Sequence, residues 1–284
     1  MIRLALFASL IAAAAPAPKS GPAPDRLRAE RLARGLEQQR QRIEAVRAHP
    51  ESFNLRTESP GLHYLFDAVG NCATEERLGA VTDGGKWVCD AYKLAAKKDC
   101  VVYGFGAGND ISFEEAMAGL GCEVHVFDPN PKSVARFAEL AKGKKIGGGS
   151  VTYHGVGLGP VSREAGQAMA LEIGGQKVEV RTLDDVLKSL GHEHLDLLKV
   201  DIEGSEWAFF ADLFKKDLLA RLGVKVLLAE LHLGPKWGAE PKDLIDLVDR
   251  LASKGFVLYR KEFNPWSAGC CSEYAFARRD FLLE

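Results

Sequence analysis

Three groups of residues in this chain have types and spacings that can do chemistry together. The first is Tyr103-Gly104-Phe105-Gly106-Ala107-Gly108-Asn109-Asp110, an apolar run that breaks into glycines and leads into a helical segment. Glycine lets the backbone approach a ligand closely, and a helix start offers unpaired N–H groups. The second is Asp128, which closes another apolar run about twenty residues beyond Gly108, where a carboxylate can accept hydrogen bonds from both hydroxyls of a ribose. The third is Asp201-Ile-Glu203-Gly-Ser-Glu206 together with Glu230-Leu-His232, a set of carboxylates and one imidazole. These can move a proton near neutral pH or hold a cation through oxygen. Strand alternation puts Glu230 and His232 on one side and Leu231 on the other.

A glycine loop beside such a carboxylate points to a cofactor that carries adenosine. Asn109 stands where a G-x-G-x-x-G fingerprint starting at Gly104 would need its last glycine, so the seat for a pyrophosphate is incomplete. A donor without phosphates needs no such seat. S-adenosylmethionine is therefore expected against Gly104, Gly106, Gly108, Asn109 and Asp128, with Asp201 available to its ammonium group. Methyl transfer to a hydroxyl requires positioning and a group to take the proton. His232 is the expected base, and Asp201 or Glu203 would orient it, hold the donor or bind a divalent cation. Two of these have plainer alternatives: Asp201 capping the helix expected from residue 205, and His232 as a structural histidine. Two readings compete with the whole: an NAD-linked oxidoreductase, and a domain that binds a glycan or partner protein without chemistry.

These residues need a scaffold, and the chain supplies short apolar runs that alternate with helical patterns from residue 100 onward. Strands are predicted at 100–105, 123–127, 151–154, 177–181, 195–200, 224–231, 256–261 and 273–278, and helices at 112–120, 131–141, 205–221 and 241–253. Such alternation builds a parallel sheet covered on both faces. The last two strands have no helix between them and pair antiparallel. Ser112 with Glu115 reads as a capping box, and Pro131 as the first residue of its helix. Residues 143–150 read as a Gly/Lys-rich loop and 155–175 as an excursion. Trp207 and Phe209 read as core.

Upstream, residues 1–20 carry a basic start, an apolar run and small residues, the pattern of a secretory signal. Residues 21–83 are a linker and helical lead-in, and 84–284 the main domain. The lead-in at 25–48 places leucines at helical spacing among Arg, Glu and Gln; it is expected to pack on the domain, with membrane contact as the lesser alternative. A net charge of -2 gives no field for nucleic acid. Six cysteines in a secretory route meet an oxidising compartment, but spacing chooses no pairing, and Cys100 and Cys122 read equally as small buried residues. No C-x-x-C or His-rich spacing marks a zinc site.

The motifs also carry a resemblance. Gly84-Gly-Lys-Trp-Val-Cys89, Val101-Val-Tyr-Gly-Phe-Gly-Ala-Gly-Asn-Asp110, Ser112-Phe-Glu-Glu-Ala-Met117 and Gly121-Cys-Glu-Val-His-Val-Phe-Asp-Pro129 are one part of it. Leu198-Lys-Val-Asp-Ile-Glu-Gly-Ser-Glu-Trp207, Glu230-Leu-His232, Asn264-Pro265 and Cys271-Ser-Glu-Tyr-Ala-Phe276 complete it. Together they resemble the methyltransferase-like domain family of eukaryotic secretory proteins, relatives of the FkbM-type methyltransferases. The resemblance implies a Rossmann-like class I methyltransferase fold, α/β with a seven-stranded, mostly parallel sheet and an antiparallel last strand. It further implies S-adenosylmethionine in the Gly104 to Asn109 loop, Gly155 and Val156 beside the adenine, and O-methylation. A carbohydrate or other small molecule is the expected acceptor, held by loops around the lead-in helix, residues 53–87 and 236–240.

Overall fold

The computed structural model describes residues 24–53, 65–159, 169–264 and 271–284. The secretory-signal segment, Pro265, Cys270 and part of the 155–175 excursion lie outside them. Chain order runs α1 (Pro24–Ala48), β1 (Glu75–Leu78), β2 (Lys86–Cys89), α2 (Ala91–Ala95), β3 (Val101–Phe105), α3 (Ser112–Gly119), β4 (Glu123–Phe127) and α4 (Pro131–Arg136). It continues with β5 (Lys144–Ile146), β6 (Gly149–His154), β7 (Gly157–Leu158), β8 (Met169–Ile173), β9 (Gln176–Arg181), α5 (Leu183–Leu190) and β10 (Leu197–Val200). The closing elements are α6 (Glu206–Lys215), α7 (Leu218–Arg221), β11 (Val226–His232), α8 (Pro241–Ser253), β12 (Phe256–Phe263), β13 (Cys271–Arg278) and α9 (Arg279–Leu283).

The central sheet has the order β12-β13-β11-β10-β3-β4-β6-β5. β11, β10, β3, β4 and β6 are parallel, and β13 runs antiparallel between β11 and β12. Seven of these strands form the expected class I sheet. The eighth, β5, comes from the stretch read as a loop: its Lys144–Ile146 pairs antiparallel with β6 at the sheet edge. The glycines there supply a tight hairpin rather than a mobile connection, Gly147 at φ 57 making the turn. Strand alternation divides the core into two layers. Tyr103, Phe105, Phe127, Leu198 and Leu227 face one, and Val102, Val124, Val126, Leu197 and Val226 the other.

Local chemistry departs from expectation in several places. Ser112 caps nothing: its Oγ accepts from the Ala80 N–H at 2.8 Å, tying α3 to the β1–β2 hairpin, and Asp110 accepts from the Ser112 N–H at 2.8 Å. The helix expected over 205–221 breaks into α6 and α7, because Asp217 takes a left-handed φ of 51. The helix expected over 131–141 stops at Arg136 and gives way to a 3₁₀ turn at Ala138–Lys142, and α5 arises where no helix was expected. Pro131 opens α4, with Asn130 accepting from the Lys132 N–H at 3.0 Å. α5 starts on Thr182 and ends on left-handed Gly191.

Disulfides join Cys72 to Cys89 and Cys100 to Cys122, the second across the starts of β3 and β4. The latter pair is thus a crosslink as well as two buried core residues. Cys271 is also disulfide-bonded. The lead-in helix packs on the domain: Leu32 joins one core layer, and Ile43 and Val46 the other. Arg47 holds Asp246 at 2.6 Å and Asp249 at 2.8 Å on α8, and the Val69 and Gly70 N–H groups donate to Leu258 O on β12. That arrangement covers an open sheet edge. Among the described residues, no helix is long and apolar enough to cross a membrane.

Candidate active site

The C-terminal ends of the parallel strands bring the three groups of residues together, as an open α/β sheet does. At the end of β3, Gly106 has φ 87, and a Cβ there would lie 1.7 Å from the Asp201 carbonyl oxygen. Only glycine permits that close crossing of two strand ends. Gly108, at φ 53, faces open space. The Lys199 ammonium donates to Gly106 O and lies 3.5 Å from Glu114, so a buried ion pair supports the loop from below. Gly104 remains in the strand, with no room for a side chain beside Glu114.

Asp128 faces this loop. Its Oδ2 accepts from the Ala107 N–H at 3.0 Å and the Gly108 N–H at 2.8 Å, and its Oδ1 from the Asn130 N–H at 2.8 Å. A carboxylate has roughly four acceptor positions, so three backbone amides leave about one for a ribose hydroxyl. Asp128 fixes the loop as much as it offers itself to a ligand. Gly155 and Val156 follow β6 on the same side; a Cβ on Gly155 would meet Val134 of α4 at 3.1 Å, and Val156 packs against the core. A cavity of about 670 Å³ opens on the outer side of the loop, lined by Asn109, Asp110, Ser112, Arg136 and Lys144, and Asp128 is not in its wall.

The β10 end curls through left-handed Glu203 (φ 53) and Gly204 (φ 95). This curl points the Ile202 and Gly204 N–H groups at the fully buried Glu206 carboxylate, at 2.8 and 2.9 Å. Glu206 Oε1 then accepts from His232 Nδ1 at 3.1 Å, and Glu203 lies 3.5 Å from His232 Nε2. Trp207 donates its indole N–H to His232 O at 2.7 Å, and the Trp237 ring packs 4.7 Å from the imidazole. The Trp237 ring also fills the space where a side chain on Gly204 would go. Beside this group, Glu230 accepts from the Asn264 side chain at 2.7 Å, and Lys86 pairs with Glu273.

Electrostatics follow from this crowding. Burial alone would lower the His232 imidazole, but the Glu206 hydrogen bond and charge, with Glu230 and Asp201 behind them, raise it to about 9. Burial, then the charges of Asp201 and Glu273, pushes the Glu230 carboxyl up to about 8. Burial likewise raises Glu273, against the pull of Lys86. The cleft is rich in carboxylates and suits a cationic ligand. At neutral pH, His232 carries a proton that must leave before it can serve as a base.

Sequence reasoning placed His232, Asp201, Glu203 and the glycine loop in one region, and they share it. It missed Lys86, Lys199, Glu273 and Trp237, and it assigned no role to Glu206. A lysine inside an otherwise apolar strand, as in Leu197–Val200, was the available signal for Lys199. Trp207, read as core, is half-buried and positions the His232 backbone.

Several known proteins are similar to this chain. The human and rat proteins called "Probable methyltransferase-like protein 24" are 33% identical over 148 residues and 32% identical over 183 residues. Those matches cover 51% and 61% of this chain but only 36% and 46% of the relatives, so the chain spans less than half of their length. Among solved structures, magnesium protoporphyrin IX methyltransferase from Synechocystis with bound SAM is similar over 66% of this chain and 76% of its own, at 15% identity and a TM-score of 0.39. Fibrillarin from Aeropyrum pernix with bound S-adenosyl-L-methionine is similar over 73% and 84%, at 10% identity and a TM-score of 0.39. Scores at that level add nothing to the strand order already described. A family model described as a methyltransferase domain matches residues 34–278, nearly the whole of the described fold, and the chain belongs to that methyltransferase family.

Proposed function

We propose that this methyltransferase methylates a hydroxyl of a carbohydrate or other small molecule in the secretory route, and that its nearest kin are of the FkbM type. The observation that carries O-methylation is the His232 imidazole, buried at the β11 end with Nδ1 on Glu206 and Nε2 turned toward Glu203. The cofactor is S-adenosylmethionine, which supplies a methyl group on a sulfonium for in-line displacement by the acceptor oxygen. The glycine loop fits it: Gly106 and Gly108 hold positive φ, and the carboxylates nearby match its positive charge.

Gly104 to Asn109 and Asp128 would hold the nucleoside, Gly155 and Val156 its base, and Asp201 the ammonium. Glu206, held by two backbone amides, keeps the imidazole ring in place. His232 takes the acceptor proton at Nε2 once its own proton has left; the exposed Glu203 beside it gives that proton a route to water. Trp237 shields the ring from bulk solvent. The Cys72–Cys89 and Cys100–Cys122 disulfides support an oxidising compartment. Purified chain incubated with labelled methyl donor and fractionated glycans or small-molecule extracts tests the reading. Label in an alkali-stable ether on a glycan or small molecule supports it, whereas label only on protein nitrogen or nucleic acid overturns it.

A further inference from the structure

A second cluster of ionisable groups lies away from the cleft, on the sheet face that carries Tyr103 and Phe127. Glu123 and His125 come from β4, His154 ends β6, Tyr103 is in β3, and His192 follows α5. His125 Nε2 is 2.9 Å and His192 Nε2 3.6 Å from the same oxygen, Glu123 Oε1. Ligand atoms of the three residues all lie within 4.8 Å of one another. The other nitrogen of each ring is engaged: His125 Nδ1 with His154 Nε2 at 2.9 Å, and His192 Nδ1 with the Tyr103 hydroxyl at 2.7 Å.

We propose that Glu123, His125 and His192 form a binding site for one divalent transition-metal ion of the zinc class. A tetrahedral zinc ion with bonds of about 2.0–2.2 Å separates its ligand atoms by about 3.3 Å, and the two observed separations bracket that value. Metal-bound imidazoles characteristically have the remote nitrogen held by a hydrogen-bonding group, which sets ring orientation. Here Tyr103 and His154 do so. His125 is buried while Glu123 is half exposed, so an ion would be reached from solvent and would keep water in its remaining position. Glu123 opens β4 and Asp128 follows its end, roughly 16 Å along the strand, so this ion stands apart from methyl transfer. Its role is to clamp β4 to the loop between α5 and β10. No sequence spacing announces it, because the ligands sit on separate elements.

Calorimetry of the full chain with zinc chloride alone, repeated with cobalt as a spectroscopic probe, tests the site. One ion per chain, visible absorption typical of tetrahedral cobalt and a raised Tm are expected. His192→Ala and Glu123→Gln, both at the solvent side, should each weaken binding by more than 100-fold, and Tyr103→Phe by about 10- to 100-fold. His232→Ala should bind zinc as the parent does. Absence of binding by the folded parent at micromolar zinc would show a purely hydrogen-bonded imidazole and carboxylate network and overturn the proposal. Zinc binding left unchanged in folded His192→Ala, or abolished in His232→Ala, would place the ion elsewhere and overturn it equally.

Discussion

His232 joins two demands that pull against each other. Glu206 holds it in orientation, yet the same carboxylate stabilises the imidazolium and raises its proton affinity to about 9. A base works only in its unprotonated form, so its working fraction grows tenfold per pH unit up to that value. NMR titration of the ring should find it cationic at pH 7.5 and deprotonating near pH 9, with donor binding moving the midpoint down because the sulfonium is also positive. A ring already neutral at pH 7 would contradict the assignment. His232→Ala should leave donor affinity within about threefold and cost roughly 100- to 10,000-fold in transfer, the range for general-base catalysis. Equal turnover would remove His232 from the mechanism. At Gly106 the constraint is steric. Gly106→Ala places a methyl against the Asp201 carbonyl in a left-handed conformation and should lower stability by about 1–3 kcal/mol or more and abolish donor binding, read by thermal shift with and without donor. The loop glycines and the strand-end acids were legible because their spacing repeats a known geometric need. Glu206 and Trp237 were not, since their roles depend on a left-handed curl and a loop packing that no periodicity encodes.

Elements were legible in proportion to how strongly their pattern repeats. Buried central strands β3, β10 and β11 are mostly apolar runs, and α8 carries a clean amphipathic stripe behind Pro241, so both are readable. β5 was hidden, because three residues ending in Ile146 between glycines look like a turn until β6 is there to pair with them. Disulfide pairing was hidden for the same reason: Cys100 and Cys122 meet only once β3 and β4 are neighbours. Replacing both with alanine should lower unfolding free energy by about 3 kcal/mol, measured as a lower denaturant midpoint, and an unchanged midpoint would show the bridge to be dispensable. α1 belongs to the core. Leu32→Ala should cost about 2–5 kcal/mol, as for other buried leucines, whereas a cost under about 0.5 kcal/mol would mean the helix is merely laid on the surface.

At the scale of the molecule, one sheet end gathers the glycine loop, Asp128 and His232, and the family match runs across nearly all of it. The chain carries a net charge of only -2, so the carboxylates of the cleft act locally on a cationic donor and not through a long-range field. Asp128 is the joint of the arrangement, since it organises the loop amides and, in the proposed reading, would also hold the nucleoside. Calorimetry with S-adenosylmethionine on the parent chain and on Asp128→Ala tests this most directly. The parent should bind one donor per chain, and the variant, still folded by circular dichroism, should lose at least 100-fold in affinity. A parent that binds no donor, or a variant that binds it as tightly, would contradict the account.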